Sequence, residues 1–196
     1  SVFALPPPPE PPAASVERRI LRRGSSRFFA REPIPFAALS TILDVSVRSL
    51  PLHCLEGASR SLNDLYLIVN AVDGLDPGTY VFRRQDSALE RLRAGTFRRE
   101  AQFLDLGQEL AGDASVDLYL LSDLSLVVQT FGDRGYRAPH LEAAILGGRF
   151  YLASYALRLG ATGLTFFDDA VTEFFSPDAA GKGVMFLVAA GERGRG

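Results

Sequence analysis

The 196-residue chain has no tryptophan, one cysteine (Cys54), one lysine (Lys182), one methionine and two histidines, His53 and His140. Each scarcity excludes a class. One thiol builds neither a disulfide framework nor a thiolate zinc site. Two histidines far apart in sequence make no His-rich cluster, so no bound metal is expected. No apolar run approaches the roughly 20 residues that a membrane helix needs, and GVMFLVAAG near the end is far too short. With 21 basic and 23 acidic residues, net charge −2, the chain is not a basic nucleic-acid domain. Neither nucleic acid nor membrane is expected as a partner, and the expected location is cytoplasmic.

What remains is a chain 47% hydrophobic, sized for one globular domain. Residues 1–14 carry LPPPPEPP and read as a Pro-rich tether outside any packed core, a link to a longer, fused polypeptide. They lack the charged and apolar regions of a signal peptide. Residues 15–196 read as a single domain.

Ser15 caps a short helix that stops at Gly24. Pro33 and Pro35 force an extended crossing before a helix from Phe36 to about Leu50. DLYLIVNAV, Asp64–Val72, reads as a strand that returns after the 76–78 turn as Tyr80–Arg84, with Ala88–Arg93 as a third. A helix is predicted over Phe97–Ala111, a strand at Val116–Leu121 and a short helix at Leu124–Phe131. The longest helix spans Tyr136–Leu159, with Leu141, Ala144, Ile145, Phe150, Leu152 and Tyr155 as its buried face and Gly160 as its C-cap. A strand around Gly163–Phe166, a helix at Asp168–Phe175 and a strand at Val184–Ala190 follow. Without a regular βαβ rhythm, the fold class is α+β.

Charge is not evenly spread. Ser15–Arg31 holds six arginines and one glutamate. Within it, RRGSSRFF sets Arg23, Ser25 and Arg27 where two guanidinium groups and a hydroxyl can converge on one phosphate; a solvated basic face is the competing reading. Cys54 reads as a buried thiol and His140 as a surface or core histidine. Tyr66, Tyr80, Phe150, Tyr151, Phe166 and Phe167 read as core aromatics. Asp168 and Asp169 read as N-cap and first-turn charge.

Four segments, in order, resemble the nitroreductase superfamily, in particular its SagB-type, McbC-like branch of FMN-dependent dehydrogenases. RRGSSRFF resembles the family's R-x-S-x-R-x-F opening. DLYLIVNAVDGLDPGTYVF resembles its strand-turn-strand signature. GYRAPHLEAAILGGRFYLASYALRLG is similar to its long central helix, and ATGLTFFDDAV to its flavin-side turn. The resemblance implies a central mixed or antiparallel sheet flanked by helices, a homodimer, and FMN as cofactor. Arg23, Ser25 and Arg27 would hold the FMN phosphate, and the backbone of Gly163, Leu164 and Thr165 would border the flavin ring. It also implies oxidation of a small-molecule or peptide-derived substrate, such as an azoline in natural-product biosynthesis.

Two segments depart from the family pattern. Where P-S-x-G-G is usual, the chain has Leu55-Glu56-Gly57-Ala58-Ser59. Where azole-forming relatives carry Lys-Tyr, it has Thr130-Phe131, and neither side chain is a base near neutral pH. Tyr136 and Asp133 are then the candidate proton-transfer groups. Two alternatives stay open: a degenerate module for dimerisation or substrate docking, and a generic NAD(P)H-dependent nitro or quinone reductase.

Overall fold

The computed structural model describes residues 1–7, 15–47 and 61–194. His53, Cys54, the Leu55–Ser59 stretch and the end of the predicted helix at Leu50 lie outside the described residues. In chain order the elements are β1 (Val2–Ala4), α1 (Val16–Arg22), β2 (Ile34–Pro35), α2 (Phe36–Ser46), β3 (Asp64–Val69), β4 (Val72–Asp73), β5 (Gly78–Arg83) and β6 (Ala88–Ala94). Then come α3 (Arg98–Leu104), α4 (Glu109–Asp113), β7 (Val116–Ser122), α5 (Leu124–Phe131), a 3-10 turn (Asp133–Tyr136), α6 (Arg137–Ala156), β8 (Gly160–Gly163), α7 (Asp168–Phe175) and β9 (Gly183–Gly191).

Nearly continuous apolar strands suit only a sheet covered on both faces. β3, β7 and β9 are such strands, and they lie inside a seven-stranded sheet of order β1-β6-β5-β3-β7-β9-β8, in which every neighbouring pair is antiparallel. Alternation sorts their side chains. Leu65, Leu67, Val69, Val116, Leu118 and Leu120 face Leu39, Ile42 and Leu43 of α2 and Leu146 and Phe150 of α6. Tyr66, Ile68, Tyr119 and Leu121 face Ala101 and Leu104 of α3 and Val171 and Phe175 of α7. Each large side chain buried this way contributes roughly 1.5–3 kcal/mol. The α+β architecture read from the sequence, a sheet between helices with one long helix, is the one observed; β2 and β4 form a separate parallel pair.

Several boundaries differ from the sequence reading. The first residues do not stay clear of the core: Val2–Ala4 pair antiparallel with β6, Phe3 packs on the core, and Ser40 Oγ donates to the Pro6 carbonyl. Three residues of strand-forming sequence before the prolines suffice to use the free edge of β6. The predicted 97–111 helix breaks in two around Leu106 and Gly107, both at positive φ (58° and 75°). α6 ends at Ala156, and Arg158 (φ 66°) makes the left-handed exit expected of Gly160, which instead opens β8. The predicted 163–166 strand therefore shifts to Gly160–Gly163.

The buried face of α6 is only in part the expected one: Phe150 and Tyr155 are buried, but the rest of the face is rotated. Leu141 is 54% exposed and Ala144 faces outward, while Ala143, Leu146, Gly147, Phe150, Ala153 and Ser154 turn inward. Close approach explains the exchange. A Cβ on Gly147 would stand 2.5 Å from Phe186 Cε1 of β9, so the helix meets the sheet through small residues.

Candidate functional site

α1 is capped as its sequence predicts, Ser15 Oγ accepting from the Arg18 N–H at 3.4 Å. The chain leaves it extended at Arg23 (ψ 143°) and runs along the ends of β8 and β9. Ser26 N–H donates to the Ala161 carbonyl (2.9 Å), Ala30 N–H to the Glu192 carbonyl (3.0 Å), and buried Phe29 bridges Arg193. These bonds lay the RRGSSRFF segment beside β8 and the last turns of α6.

Three predicted site residues meet there around a side chain the sequence reading assigned to the core. Tyr151, half-buried on α6, has its hydroxyl 3.3 Å from Ser25 Oγ, and Gly163 N–H donates to that same hydroxyl. The Arg23 guanidinium lies 5.9 Å from the Tyr151 ring centroid, within cation–π range. Its signal in the sequence was a tyrosine four residues before Tyr155, hence on the same face of the long helix. Arg27 is exposed on the same extended segment. Neither Arg23 nor Arg27 makes an ion pair among the described residues. Leu164 turns inward against the core, so only its backbone is available, and exposed Thr165 holds Gln108 Nε2 at 3.1 Å.

Tyr136 and Asp133 do not join this group within one chain. They lie in the turn before α6, about 22 Å of helix rise from Tyr151. Tyr136 is exposed and packs edge-on against His140 with ring centroids 4.7 Å apart. Thr130 Oγ1 donates to the Leu126 carbonyl (2.7 Å), a bond internal to α5.

The lone lysine is engaged elsewhere. Lys182 Nζ donates to Tyr66 Oη (2.6 Å) and pairs with Asp64 Oδ2 (2.8 Å), while Tyr66 Oη donates to Asp178 Oδ1 (2.6 Å). Burial, then the Asp178 carboxylate, push the Tyr66 hydroxyl far above its ordinary value. Lys182 precedes β9, whereas Gly163 pairs with Val188 further along that strand.

Two polar groups support the surroundings. Glu142 of α6 is 3% exposed and accepts from Ser61 Oγ (2.8 Å), Leu62 N–H (2.9 Å), Asn63 N–H (2.9 Å) and Asn63 Nδ2 (2.7 Å). It thereby ties α6 to the entry of β3. Beneath the Gln108–Thr165 contact, Asp105 and Asp117 are buried. Tyr119 Oη donates to Asp105 Oδ1 (3.0 Å) and Asn70 Nδ2 to Asp117 Oδ2 (3.2 Å). Burial pushes Asp105 up to about 8, and Asp117 is raised by burial and by the neighbouring Asp105.

The donor set at Tyr151 fits a phosphate. The Arg23 guanidinium, the Ser25 hydroxyl and the exposed strand end at Gly163 meet at Tyr151, Arg27 lies exposed on the same segment, and a phosphate is a group that needs such guanidinium forks. Among the described residues no cluster of His, Cys, Asp or Glu suits a metal ion.

Comparison with known proteins shows the family and the fold. The Nitroreductase family profile matches residues 20–191. A curated protein of Methanocaldococcus jannaschii bearing a nitroreductase name is 24% identical over 164 residues, 81% of this chain and 82% of its own. A crystal structure from Anabaena variabilis, also named a nitroreductase, is 32% identical with a TM-score of 0.81 over 91% of this chain; the chain spans only 38% of that protein. The Escherichia coli microcin synthetase McbBCD complex, bound to truncated pro-MccB17, shares the fold at 16% identity, with a TM-score of 0.73 over 93% of this chain and 74% of the matched one.

Proposed function

This chain belongs to the nitroreductase family, and on that premise we propose that it is an FMN-dependent oxidoreductase of the SagB-type, McbC-like branch, working as a homodimer. The observation that supports the reading is the meeting of Arg23, Ser25 and Gly163 around Tyr151. In this reading Arg23, Ser25 and Arg27 hold the FMN phosphate, and the backbone of Gly163, Leu164 and Thr165 borders the ring. Bound FMN supplies two-electron, hydride-type transfer. The chain supplies binding and orientation. Tyr151 accepts from Gly163 and, by donating to Ser25 Oγ, leaves the serine proton free for the phosphate. The substrate is a small or peptide-derived molecule such as an azoline, in keeping with the fold shared with a microcin synthetase.

Thr130-Phe131 favours a second reading. Thr130 is spent on the Leu126 carbonyl and no Lys-Tyr base stands there. A module that docks substrate or partner without redox chemistry needs none, and electron-poor nitro or quinone acceptors take hydride without a protein base. Anaerobic mixing of the flavin-loaded protein with NADH or NADPH separates these. Bleaching of the flavin absorbance supports an oxidoreductase, and subsequent turnover of a nitroaromatic supports the generic reductase. Flavin that both nucleotides and candidate azolines leave oxidised, yet dithionite reduces, overturns the redox reading.

A further inference from the structure

Beside the Tyr151 group lies an open basin of about 690 Å³ lined by Arg18, Arg19, Arg22, Tyr155, Arg158 and Arg193. None of the five arginines makes an ion pair with a carboxylate among the described residues. Arg18, Arg19 and Arg22 share one face of α1, and two like charges at i and i+4 repel. Helix capping accounts for part of the cluster: Arg19 Nη1 donates to the Tyr155 carbonyl (3.0 Å), and Arg193 donates from Nε to the Leu159 carbonyl (3.4 Å) while lying 4.8 Å over the Tyr155 ring. It does not account for Arg18, Arg22 or Arg158, nor for Arg19 Nε, which is buried without a partner.

We infer that this basin is a second anion site, built for the diphosphate group of a nucleotide and distinct in its residues from Arg23, Ser25 and Arg27. Five forked cations around one basin match several phosphate oxygens, where a single phosphate would leave most donors idle. The volume lies in the range of small-molecule sites rather than of one bound ion. The basin also adjoins the first site: Tyr155 follows Tyr151 by one turn of α6, and its hydroxyl is 4.0 Å from where a Cβ on Gly24 would stand, between Arg23 and Ser25. A diphosphate here belongs to a separate nucleotide bound beside the flavin, since a dinucleotide flavin would bring only one phosphate beyond the first.

The test is calorimetric titration of inorganic pyrophosphate into the protein as purified with its flavin, for the native sequence and for Arg18→Ala/Arg22→Ala. Both side chains are exposed and bond to no described residue, so the variant is expected to fold. The expected result is salt-sensitive pyrophosphate binding, weakened roughly tenfold or more in the variant, with flavin absorbance unchanged. Arg23→Ala/Arg27→Ala is expected to do the reverse, losing flavin and keeping pyrophosphate. A preference for FAD over FMN that vanishes in Arg18→Ala/Arg22→Ala shows that the basin takes only the second phosphate of a flavin, and overturns the diphosphate assignment. ADP binding alongside FMN identifies a separate nucleotide. No pyrophosphate binding at millimolar concentration, binding indifferent to Arg18 and Arg22, or loss of FMN in their variant overturns the inference. Because pyrophosphate is read directly, the result stands whether or not the chain holds flavin.

Discussion

Replacing Glu142 with alanine removes the acceptor of four hydrogen bonds at once. Ser61 Oγ, Leu62 N–H, Asn63 N–H and Asn63 Nδ2 all point at a carboxylate that is 3% exposed. Asn63 is itself buried, so its freed donors find no water. Arg84 donates to the Val47 and Asn63 carbonyls (3.1 and 3.0 Å). Burial lowers its pKa, and the charge of Glu142 is the largest influence opposing that. Bonds to a charged group contribute about 1.5–3 kcal/mol each and do not add, whereas stripping one partner from a buried ionic cluster costs about 3–5 kcal/mol. We expect Glu142→Ala to lose about 3–5 kcal/mol, a large part of a stability of about 5–15 kcal/mol. Glu142→Gln, which keeps one oxygen but turns an NH₂ toward a donor, should lose less, about 1–3 kcal/mol. Equilibrium urea unfolding measures both, as a lower midpoint at unchanged slope. A Glu142→Ala loss under about 1 kcal/mol would refute the reasoning that this carboxylate fastens α6 to the entry of β3.

Three further outcomes follow from other parts of the molecule. Asp105 and Asp117 titrate higher in the folded than in the unfolded chain, so the folded state binds the extra protons; their contribution is whole below pH about 4 and declines as pH rises, that of Asp105 up to about 8. Thermal melts of Asp117→Asn should therefore show its stability relative to the native protein rising from pH 5 to pH 8, and a pH-independent difference would contradict this origin. Tyr151→Phe removes the acceptor of Gly163 N–H and the partner of Ser25, worth about 1 kcal/mol, so FMN should bind about fivefold more weakly by fluorescence titration; unchanged affinity would detach Tyr151 from the site. Gly147→Ala forces a methyl against Phe186 and should cost about 1–3 kcal/mol in the same urea assay; an unchanged midpoint would mean that the ring moves aside freely.

The sheet was legible because its strands carry their burial in their composition. The apolar runs of β3, β7 and β9 permit only a doubly covered sheet, and the alternation within them assigns each residue to a face. The helix that covers one face was legible in length but not in orientation. α6 meets Phe186 of β9 at Gly147, and its buried stripe mixes Ala143, Gly147, Ala153 and Ser154 with Leu146, Phe150 and Tyr155, so side-chain size alone misplaces part of the face. β1 was hidden by its neighbours, since the prolines after Leu5 dominate the composition around three strand residues. At the candidate site, a hydroxyl between two arginines is a local pattern, but spacing alone left a solvated basic face open for Arg23 and Ser25, and the family resemblance singled them out. Tyr151 lies 126 residues from Ser25, and only the crossing of two elements brings them together. The arginine basin has the same origin: Arg158 and Arg193 reach α1 through the fold, and in the sequence they are two scattered residues among twenty.

In the proposed function, Arg23, Ser25 and Arg27 gather a flavin phosphate beside Tyr151 and Gly163. Its most direct test is titration of FMN into the flavin-stripped protein, followed by flavin fluorescence, for the native sequence and for Arg23→Ala/Arg27→Ala. Saturable one-to-one binding by the native chain is expected, with a loss of about 100-fold or more in the variant, since two charge-assisted contacts of at least about 1.5 kcal/mol each are removed. A native chain that leaves FMN free, or a double variant that binds it equally well, would contradict it.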